Sequence, residues 1–274
     1  MTRHVLFPQS RRFYLTPPSA CPYLANEIER KVFTTLEGSQ ADIVHETLMN
    51  QGFRRSQRIA YRPACPSCSA CHSVRIPVDS FSETRRWRRV LRRNADLDRQ
   101  IRPAEATLEQ YDLLKRYLRT RHRDGGMAEM RESDYAAMVE ETSLRTHVIE
   151  YRLAVGNGPG VLLGATLSDR LRDGLSMVYS FFDPEHADRS LGAYMILDHI
   201  RLCRDARLAH VYLGYWVKNS DKMDYKGQFH PLETLNAGVW TRGLSDREDQ
   251  PSARNREVGD IAEPMELWDP DPRA

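Results

Sequence analysis

Three features of the sequence predict a mixed α/β protein. Apolar residues at helical spacing occupy the middle of the 274-residue chain, β-branched and aromatic runs follow them, and turn-forming residues dominate the beginning. A composition of 41% hydrophobic and 28% charged residues is typical of a folded globular protein rather than a disordered or membrane-embedded one. We expect a cysteine-containing, loop-rich N-terminal lobe over residues 1–81, a mixed-sheet domain over residues 82–243 and a mobile acidic tail over residues 244–274.

A strongly basic helix is predicted directly after the N-terminal lobe. We expect Ser82 to cap it and Arg93 to lie at its end, with Trp87, Val90 and Leu91 forming a narrow apolar stripe. The stripe would hold the helix on the core, because only apolar side chains gain from burial there. The remaining faces must be solvated or occupied by a partner.

Two further helices precede the predicted strands. Thr107 and Gln110 are spaced as a capping box, and Ser133 is expected to cap the next helix. Residues 147–154, 161–171, 175–182 and 210–216 have the composition of strands, and an Asp-Gly pair between the second and third favours a tight hairpin turn. A helix capped by Ser190 is expected to connect this hairpin to the last strand.

The order strand, strand, helix, strand over residues 161–216 is that of the core of the acyl-CoA N-acyltransferase (GNAT) fold. In that fold a helix begins near the end of a strand, and the free N–H groups of its first turn attract phosphate or oxyanion charge. Ser190 and Gly192 supply the turn and the small side chain that such a cradle needs. The predicted fold is therefore α/β (α+β) and GNAT-like, with a mixed sheet and helices.

Charge is distributed unevenly along the chain although the net charge is only +2. Between Arg85 and Arg102 there are eight arginines against two aspartates, whereas residues 245–274 contain nine acidic residues against four arginines. A basic segment of this kind points to a polyanionic partner that meets one face of the protein. Within it we assign Arg85, Arg88, Arg89, Arg92 and Arg93, together with Ser190 and Gly192, to binding of that partner.

No apolar run reaches the roughly 18–20 residues that span a bilayer, and residues 1–10 do not resemble a signal sequence, so we expect a cytoplasmic protein without a membrane contact. Cysteines in that compartment are reduced. Cys21, Cys65, Cys68 and Cys71 could then hold zinc or an iron–sulfur centre, or could be free thiols, and the spacing leaves both readings open.

Short motifs along most of the chain resemble those of one known family. They occur in the family's order. The matching motifs are Phe13-Tyr14-Leu15-Thr16, Cys21-Pro22-Tyr23-Leu24, Gly52-Phe53-Arg54-Arg55-Ser56, Tyr61-Arg62-Pro63 with Cys65, Cys68 and Cys71, Val74-Arg75-Ile76-Pro77-Val78, Arg121-His122, Asp124-Gly125, Tyr179-Ser180-Phe181-Phe182-Asp183-Pro184, Ser190-Leu191-Gly192, Tyr212-Leu213-Gly214-Tyr215-Trp216 and Lys222-Met223 with Tyr225-Lys226.

By these motifs the chain resembles the bacterial branch of the arginyltransferase family, the aspartate/glutamate leucyltransferases. The resemblance implies an aminoacyltransferase that moves leucine from leucyl-tRNA to proteins beginning with Asp or Glu, which marks them for the degradation machinery of the N-degron pathway. It implies no cofactor for the transfer step. The alternatives are transfer of arginine, a CoA-dependent N-acetyltransferase, and a non-catalytic nucleic-acid-binding module.

Aminolysis of an ester needs a neutral amine, a donor to the developing oxyanion and a route for the departing proton. Asp183 could orient or deprotonate the amine, although it could equally cap its own turn. Tyr179 and Tyr215 could donate to the ester oxygen, although buried tyrosines are more often packing residues. His122 and Asp124 form a second possible relay.

The two substrates need complementary pockets. The leucyl side chain needs apolar walls, and the acceptor's acidic side chain needs a cation. The expected walls are Phe181, Phe182, Met195 and Trp216, and the expected cations are Lys222, Lys226, Arg75 and Arg121.

Overall fold

An eight-stranded mixed sheet organises the computed structural model, which describes residues 11–121, 129–154, 158, 160–220 and 222–244. Two smaller sheets, of four and two strands, belong to the N-terminal lobe. In chain order the strands are β1 (Tyr14–Leu15), β2 (Ser19–Ala20), β3 (Ile28–Glu29), β4 (Lys31–Thr35), β5 (Arg54–Ser56), β6 (Ile59–Pro63), β7 (His72–Pro77), β8 (Leu97–Pro103), β9 (Thr146–Leu153), β10 (Val161–Arg170), β11 (Gly174–Phe182), β12 (His210–Trp216), β13 (Glu233–Asn236) and β14 (Val239–Arg242).

Helices cover both faces of the large sheet. The helix α5 packs on β11 and β12, and α3 packs on β10 and β11. The α-helices are α1 (Ala41–Met49), α2 (Arg85–Arg93), α3 (Leu108–Arg121), α4 (Glu132–Glu140) and α5 (Leu191–Asp205), and two 3₁₀ helices span Pro184–Arg189 and Asp224–Gln228.

The large sheet has the order β14-β13-β7-β12-β11-β10-β9-β8. The predicted hairpin is confirmed, because β10 and β11 pair antiparallel, and α5 leads from β11 to β12, which lies parallel to it. Strands β11 and β12 pair only where Gly174–Ser176 lies beside His210–Tyr212. Towards their C-terminal ends the two strands continue without pairing, and this leaves a gap between them at one end of the sheet.

The N-terminal lobe is fastened to the large sheet by an ion pair. Arg55 donates to both carboxylate oxygens of Asp169 at 2.7 and 2.9 Å, and each side chain is 1% exposed. Thr146 donates to the same carboxylate. A buried charge is tolerated only when it is paired and hydrogen-bonded in this way, so separating the lobes would leave two costly charges.

The division into residues 1–81 and 82–243 stays a prediction. Strand β7, which lies within residues 1–81, pairs with β12 and β13 of the large sheet. Among the described residues, no helix is long and apolar enough to cross a membrane.

Two predicted helix caps are wrong and one is confirmed. Thr84, not Ser82, caps α2 by accepting from the Trp87 N–H. Arg131 rather than Ser133 is the N-cap of α4. Thr107 and Gln110 form the reciprocal capping box that their spacing predicted, because each side chain accepts from the other's backbone N–H.

Ser190 begins α5, as predicted, but its side chain makes no cap hydrogen bond. Its backbone is left-handed, with φ 55° and ψ 46°, so the hydroxyl cannot reach the first turn as a normal cap would. The first N–H groups of α5 are consequently not satisfied by a Ser190 cap.

Candidate active site

Asp183 lies at the C-terminal end of β11, where the gap opens. One carboxylate oxygen accepts from the Glu185 N–H at 3.0 Å and caps the helix Pro184–Arg189, and the other accepts from Arg116 at 3.1 Å. The side chain is 9% exposed. The capping alternative is therefore confirmed, but each carboxylate oxygen has a second lone pair that can still accept from a ligand.

Tyr179 lies on β11 with its ring against the α3 side of the sheet. Burial, together with the nearby Tyr117 hydroxyl, raises its pKa well above the usual range, so the group stays protonated. Its Oη is buried and accepts or donates no hydrogen bond within the described part of the chain. The predicted use of Tyr179 as a donor needs such a free O–H.

Four buried side-chain atoms lack a hydrogen-bond partner among the described residues. Tyr179 and Trp216 lie on β11 and β12, in core clusters on opposite faces of the sheet, His186 follows Asp183, and Asn94 contacts the residue before Ser190. Buried polar groups are normally paired, so each exception is a place where a ligand or water can complete the hydrogen bonding. The atoms are Asn94 Oδ1, Tyr179 Oη, His186 Nδ1 and Trp216 Nε1.

The start of α5 and the basic helix α2 meet at the same place. Asn94, at the end of α2, donates to the Arg189 carbonyl at 2.9 Å, and Arg189 pairs with Asp96 at 2.7 Å. Arg93 also donates to the Asp188 carbonyl. The start of α5, which is the predicted anion cradle, therefore lies beside the arginine-rich helix α2. The sequence analysis assigned both to the same polyanionic partner.

Helix α2 is anchored by the residues that the sequence predicted. Trp87 and Leu91 are buried, and the Trp87 ring stacks on Phe229 at 4.4 Å. Arg86 lies over the Trp87 ring at 4.8 Å, and all six arginines of the helix are exposed to solvent. In residues 11–121, 129–154, 158, 160–220 and 222–244, no acidic side chain pairs with Arg85, Arg88, Arg89 or Arg92.

The four predicted pocket residues lie on different faces of the sheet. Phe181 is buried against Tyr135 on the α3 and α4 side of the sheet, and Met195 is fully buried on the opposite face. Their assignment to the leucyl pocket stays a prediction. Adjacent strand residues point to opposite faces, which separates Phe181 from Phe182.

Phe182 and Trp216 remain near the gap. Phe182 is half-buried, contacts Tyr117 with ring centroids 5.0 Å apart and lies under the first turn of α5. A Cβ at Gly192 would lie 3.2 Å from the Phe182 ring, so glycine allows this close approach. Trp216 is 4% exposed.

Tyr215 faces the N-terminal lobe, where its hydroxyl is already paired, and its role as a donor to the ester oxygen stays a prediction. Its Oη donates to the Gly52 carbonyl at 2.8 Å, so its only proton is used in joining the lobe to the sheet. Burial raises its pKa well above the usual range. The alternative reading, a packing tyrosine with a satisfied hydroxyl, is the one observed.

Lys226 is buried, and its contact with the acidic side chain of an acceptor stays a prediction. Its Nζ donates to the Tyr215 carbonyl at 2.8 Å and to Met223 Sδ at 3.3 Å. Burial, with the nearby Arg54 guanidinium, lowers its pKa to about 7. Lys222 is exposed and remains a candidate for the acceptor site.

Arg75 belongs to a different end of the sheet. It pairs with Glu233 at 2.7 Å and donates to Tyr212 Oη at 3.1 Å, close to the β10–β11 turn. Strand β11 separates this turn from Asp183 by the length of the strand, and the assignment of Arg75 to the acceptor site stays a prediction. His122 and Asp124, and the side chain of Arg121, lie outside the described residues.

Two arginines that the sequence did not single out belong to the site. Arg54 lies in the gap, where it donates to the Met177 carbonyl at 3.0 Å, and any Cβ at Gly214 would overlap its guanidinium. Arg116 pairs with Asp183 and is 46% exposed. Their only sequence signals were a matching motif for Arg54 and a charged position in a helical pattern for Arg116, which normally means a solvated side chain.

The four N-terminal cysteines come together, and the zinc or iron–sulfur centre that they could hold stays a prediction. Burial, followed by the charges of Cys21, Cys68 and Cys65, raises the pKa of Cys71 to about 12, which shows that the four side chains are neighbours. All are free and partly exposed. Within the described ranges, no group of three or more His, Cys, Asp or Glu side chains is arranged to hold a metal ion.

Two family models match the chain, and several solved structures are similar to it. Residues 19–89 match the family model of the arginine-tRNA-protein transferase N terminus, and residues 109–236 match that of its C terminus. Among solved structures, FemX has a TM-score of 0.42 at 12% identity, over 70% of this chain and 64% of that one. L-PGS from Bacillus licheniformis has a TM-score of 0.40 at 8% identity, over 78% and 71%.

Curated relatives are similar over nearly their whole length. A protein from Phenylobacterium zucineum is 54% identical over 92% of this chain and 97% of its own, and one from Rhizobium meliloti is 55% identical over 85% and 92%. One from Caulobacter vibrioides (strain NA1000 / CB15N) is 54% identical over 90% and 88%. All three carry the name aspartate/glutamate leucyltransferase. With both family models matched and relatives this similar, the chain belongs to the arginine-tRNA-protein transferase family, within its group of aspartate/glutamate leucyltransferases.

Proposed function

We propose that this protein transfers leucine from leucyl-tRNA to the N-terminal amine of proteins that begin with Asp or Glu. The observation that carries the proposal is the 54% identity to aspartate/glutamate leucyltransferases over 92% of the chain. The product would carry an N-terminal leucine and pass to the degradation machinery of the N-degron pathway. The reaction takes place in the cytoplasm, where both substrates occur.

The chemistry balances without an added cofactor. The neutral α-amine attacks the ester carbon of leucyl-tRNA, a C–N bond forms, and the C–O bond to the terminal ribose breaks. The proton lost by the amine replaces the acyl group on the ribose oxygen. An α-amine has a pKa of about 7.7–8.0, so a useful fraction is already neutral and positioning contributes more than strong base catalysis.

Three features support this reaction. The Asp183 carboxylate can accept from the incoming amine, and the free Tyr179 hydroxyl can donate to the ester oxygen as it gains charge. The first turn of α5 and the arginines of α2 provide positive potential for the tRNA end. Lys222 and Arg116 supply exposed cations for the acceptor's acidic side chain.

The cysteine cluster has no part in this proposed step. Its thiols lie in the N-terminal lobe, and the structural zinc or iron–sulfur site that they could form is separate from the transfer chemistry. We assign them no role in the transfer.

A transfer assay tests the proposal directly. The protein is incubated with radiolabelled leucyl-tRNA or arginyl-tRNA and with matched peptides beginning with Asp, Glu, Asn or Lys. We expect label in the Asp and Glu peptides from leucyl-tRNA only. Arginine transfer without leucine transfer would move the chain to the arginyl branch, and label from acetyl-CoA instead of charged tRNA would replace the reaction class.

A further inference from the structure

The exposed side of α2 is a cationic surface without a partner in the described structure. We call the set Arg85, Arg88, Arg89 and Arg92 the basic face. The acidic side chains nearest in sequence are already used, because Glu83 pairs with Arg201 and Asp96 with Arg189. Within the described ranges the positive charge of the basic face is therefore not neutralised.

The described chain ends close to the underside of α2. Leu244 packs on the core cluster that contains Trp216 and Phe229, and a Cβ at Gly227 would lie 3.2 Å from its side chain. Phe229 is the residue that stacks on Trp87 of α2. The segment after Leu244 therefore begins at the same core cluster on which the buried side of α2 packs.

That segment has the complementary charge and enough length. Residues 245–274 contain nine acidic residues and four arginines, a net charge of −5. The nine residues of α2 are about 14 Å long at 1.5 Å per residue, whereas even a few extended residues of the tail span that distance at roughly 3.3 Å each. Because the tail is attached beside its target, its effective concentration there is on the order of millimolar.

We propose that the acidic tail, residues 245–274, docks on the basic face of α2 and competes there with polyanions. The proposal rests on the proposed function only in taking tRNA as the polyanion that is displaced. Docking weakens non-specific binding of nucleic acid, because a ligand must first displace the tail. A tRNA that also engages the start of α5 makes contacts that the tail does not replace.

The docking itself is tested without tRNA. A fluorescent synthetic peptide of residues 245–274 is titrated onto the chain that ends at Leu244. We expect saturable binding that weakens as salt rises and is lost when Arg88, Arg89 and Arg92 are changed together to Gln. An Arg131→Gln, Arg145→Gln, Arg172→Gln chain is the matched control, since these exposed arginines pair with acidic residues elsewhere.

Peptide binding that is unchanged in the α2 variant, or absent in the parent, would overturn the proposal. If the truncated chain fails to melt cooperatively, the full chain with its nine tail acids changed to Asn or Gln takes its place. If light scattering shows that the chain associates with itself as its concentration rises, the tail docks on a second copy. That result would overturn the intramolecular form of the proposal.

Competition is then measured with uncharged leucine tRNA. Removing or neutralising the tail is expected to tighten binding about three- to tenfold at low salt, as two or three lost surface ion pairs would. Changing the four tail arginines to Gln is expected to weaken tRNA binding. When Arg88, Arg89 and Arg92 are changed to Gln, both of these effects of the tail on tRNA binding are expected to disappear. Equal tRNA affinity with and without the tail would overturn the competition. If the peptide docks but tRNA does not bind at all, the proposed function fails and the docking stands.

Discussion

The two ends of strand β11 carry the same kinds of polar side chains in different states of pairing. At the N-terminal end, Asp173 accepts from Tyr212 and contacts His210 at 2.9 Å, and Arg75 joins Tyr212 to Glu233. Burial alone would raise the pKa of Asp173, but the hydrogen bonds from His210 and Tyr212 hold it below its usual range.

At the C-terminal end the pairing is incomplete. Asp183 has Arg116 and one backbone N–H, while Tyr179, His186 and Trp216 each have a buried polar atom without a partner in the described residues. A saturated network stabilises the fold and has little capacity left for a ligand, whereas unsaturated groups cost stability unless a ligand completes them. The comparison therefore supports our proposal that the N-terminal end of β11 stabilises the fold and the C-terminal end carries the reaction chemistry.

The largest test of this comparison exchanges one carboxylate at each end for an amide. We expect Asp183→Asn to lower the single-turnover rate of leucine transfer by about 10³-fold, within the range for loss of a positioned acid–base group. Folding should change little, because Asn caps a helix nearly as well as Asp.

The matched control is Asp173→Asn. It should reduce stability by about 1 kcal/mol through its hydrogen-bond partners, with transfer close to the parent rate. Melting curves and rates are measured on both variants. Equal rate losses at the two ends would break the distinction between them.

Tyrosine hydroxyls give a second and smaller test. Tyr179→Phe removes a buried O–H that has no described partner, so we expect transfer to fall by about 10²-fold while the melting temperature is unchanged or rises. Tyr212→Phe removes a hydroxyl that is fully paired and should do the reverse, lowering stability with little loss of transfer. Full transfer activity in Tyr179→Phe would remove that residue from the reaction.

The smallest effect concerns Lys226, whose buried amine has a pKa of about 7. The unfolded chain keeps this proton up to pH ~10.4, so above pH 7 the unfolded state binds more protons and folding stability rises with pH. Relative to Lys226→Met, the parent should therefore gain up to about 1.4 kcal/mol per unit between pH 7.5 and 9.5.

Urea denaturation of the parent, Lys226→Met and Lys222→Met across this pH range measures the difference. Lys222 is exposed, and its variant should follow the parent. A parent and a Lys226→Met chain with parallel pH profiles would show that the amine is not buried as the structure has it.

Local patterns predicted the elements well. The predicted strand over residues 210–216 coincides with β12, and the capping box at Thr107 and Gln110 forms as its spacing indicated. The apolar stripe of α2 correctly identified Trp87 and Leu91 as its buried side. These successes share a cause, because periodicity and capping depend on residues within one or two turns of each other.

Site residues were harder to predict, because their roles depend on distant partners. The Tyr215 hydroxyl donates to the carbonyl of Gly52, which is 163 residues away in sequence, and Arg54 lies in the gap because Gly214 has no side chain. Phe181 and Phe182 were predicted together, yet the pleat of β11 sends them to opposite faces.

The amino-acid sequence by itself determined the order of strands and helices over residues 161–216, the basic helix and the family to which the chain belongs, but it did not predict β8 or the strands of the N-terminal lobe. Only the tertiary structure decided which polar groups are already paired and which are left for a ligand. The physical reason is that hydrogen bonding and burial are properties of contacts between elements. Asp173 and Asp183 look alike in the sequence, and they differ only in what the folded sheet places around them.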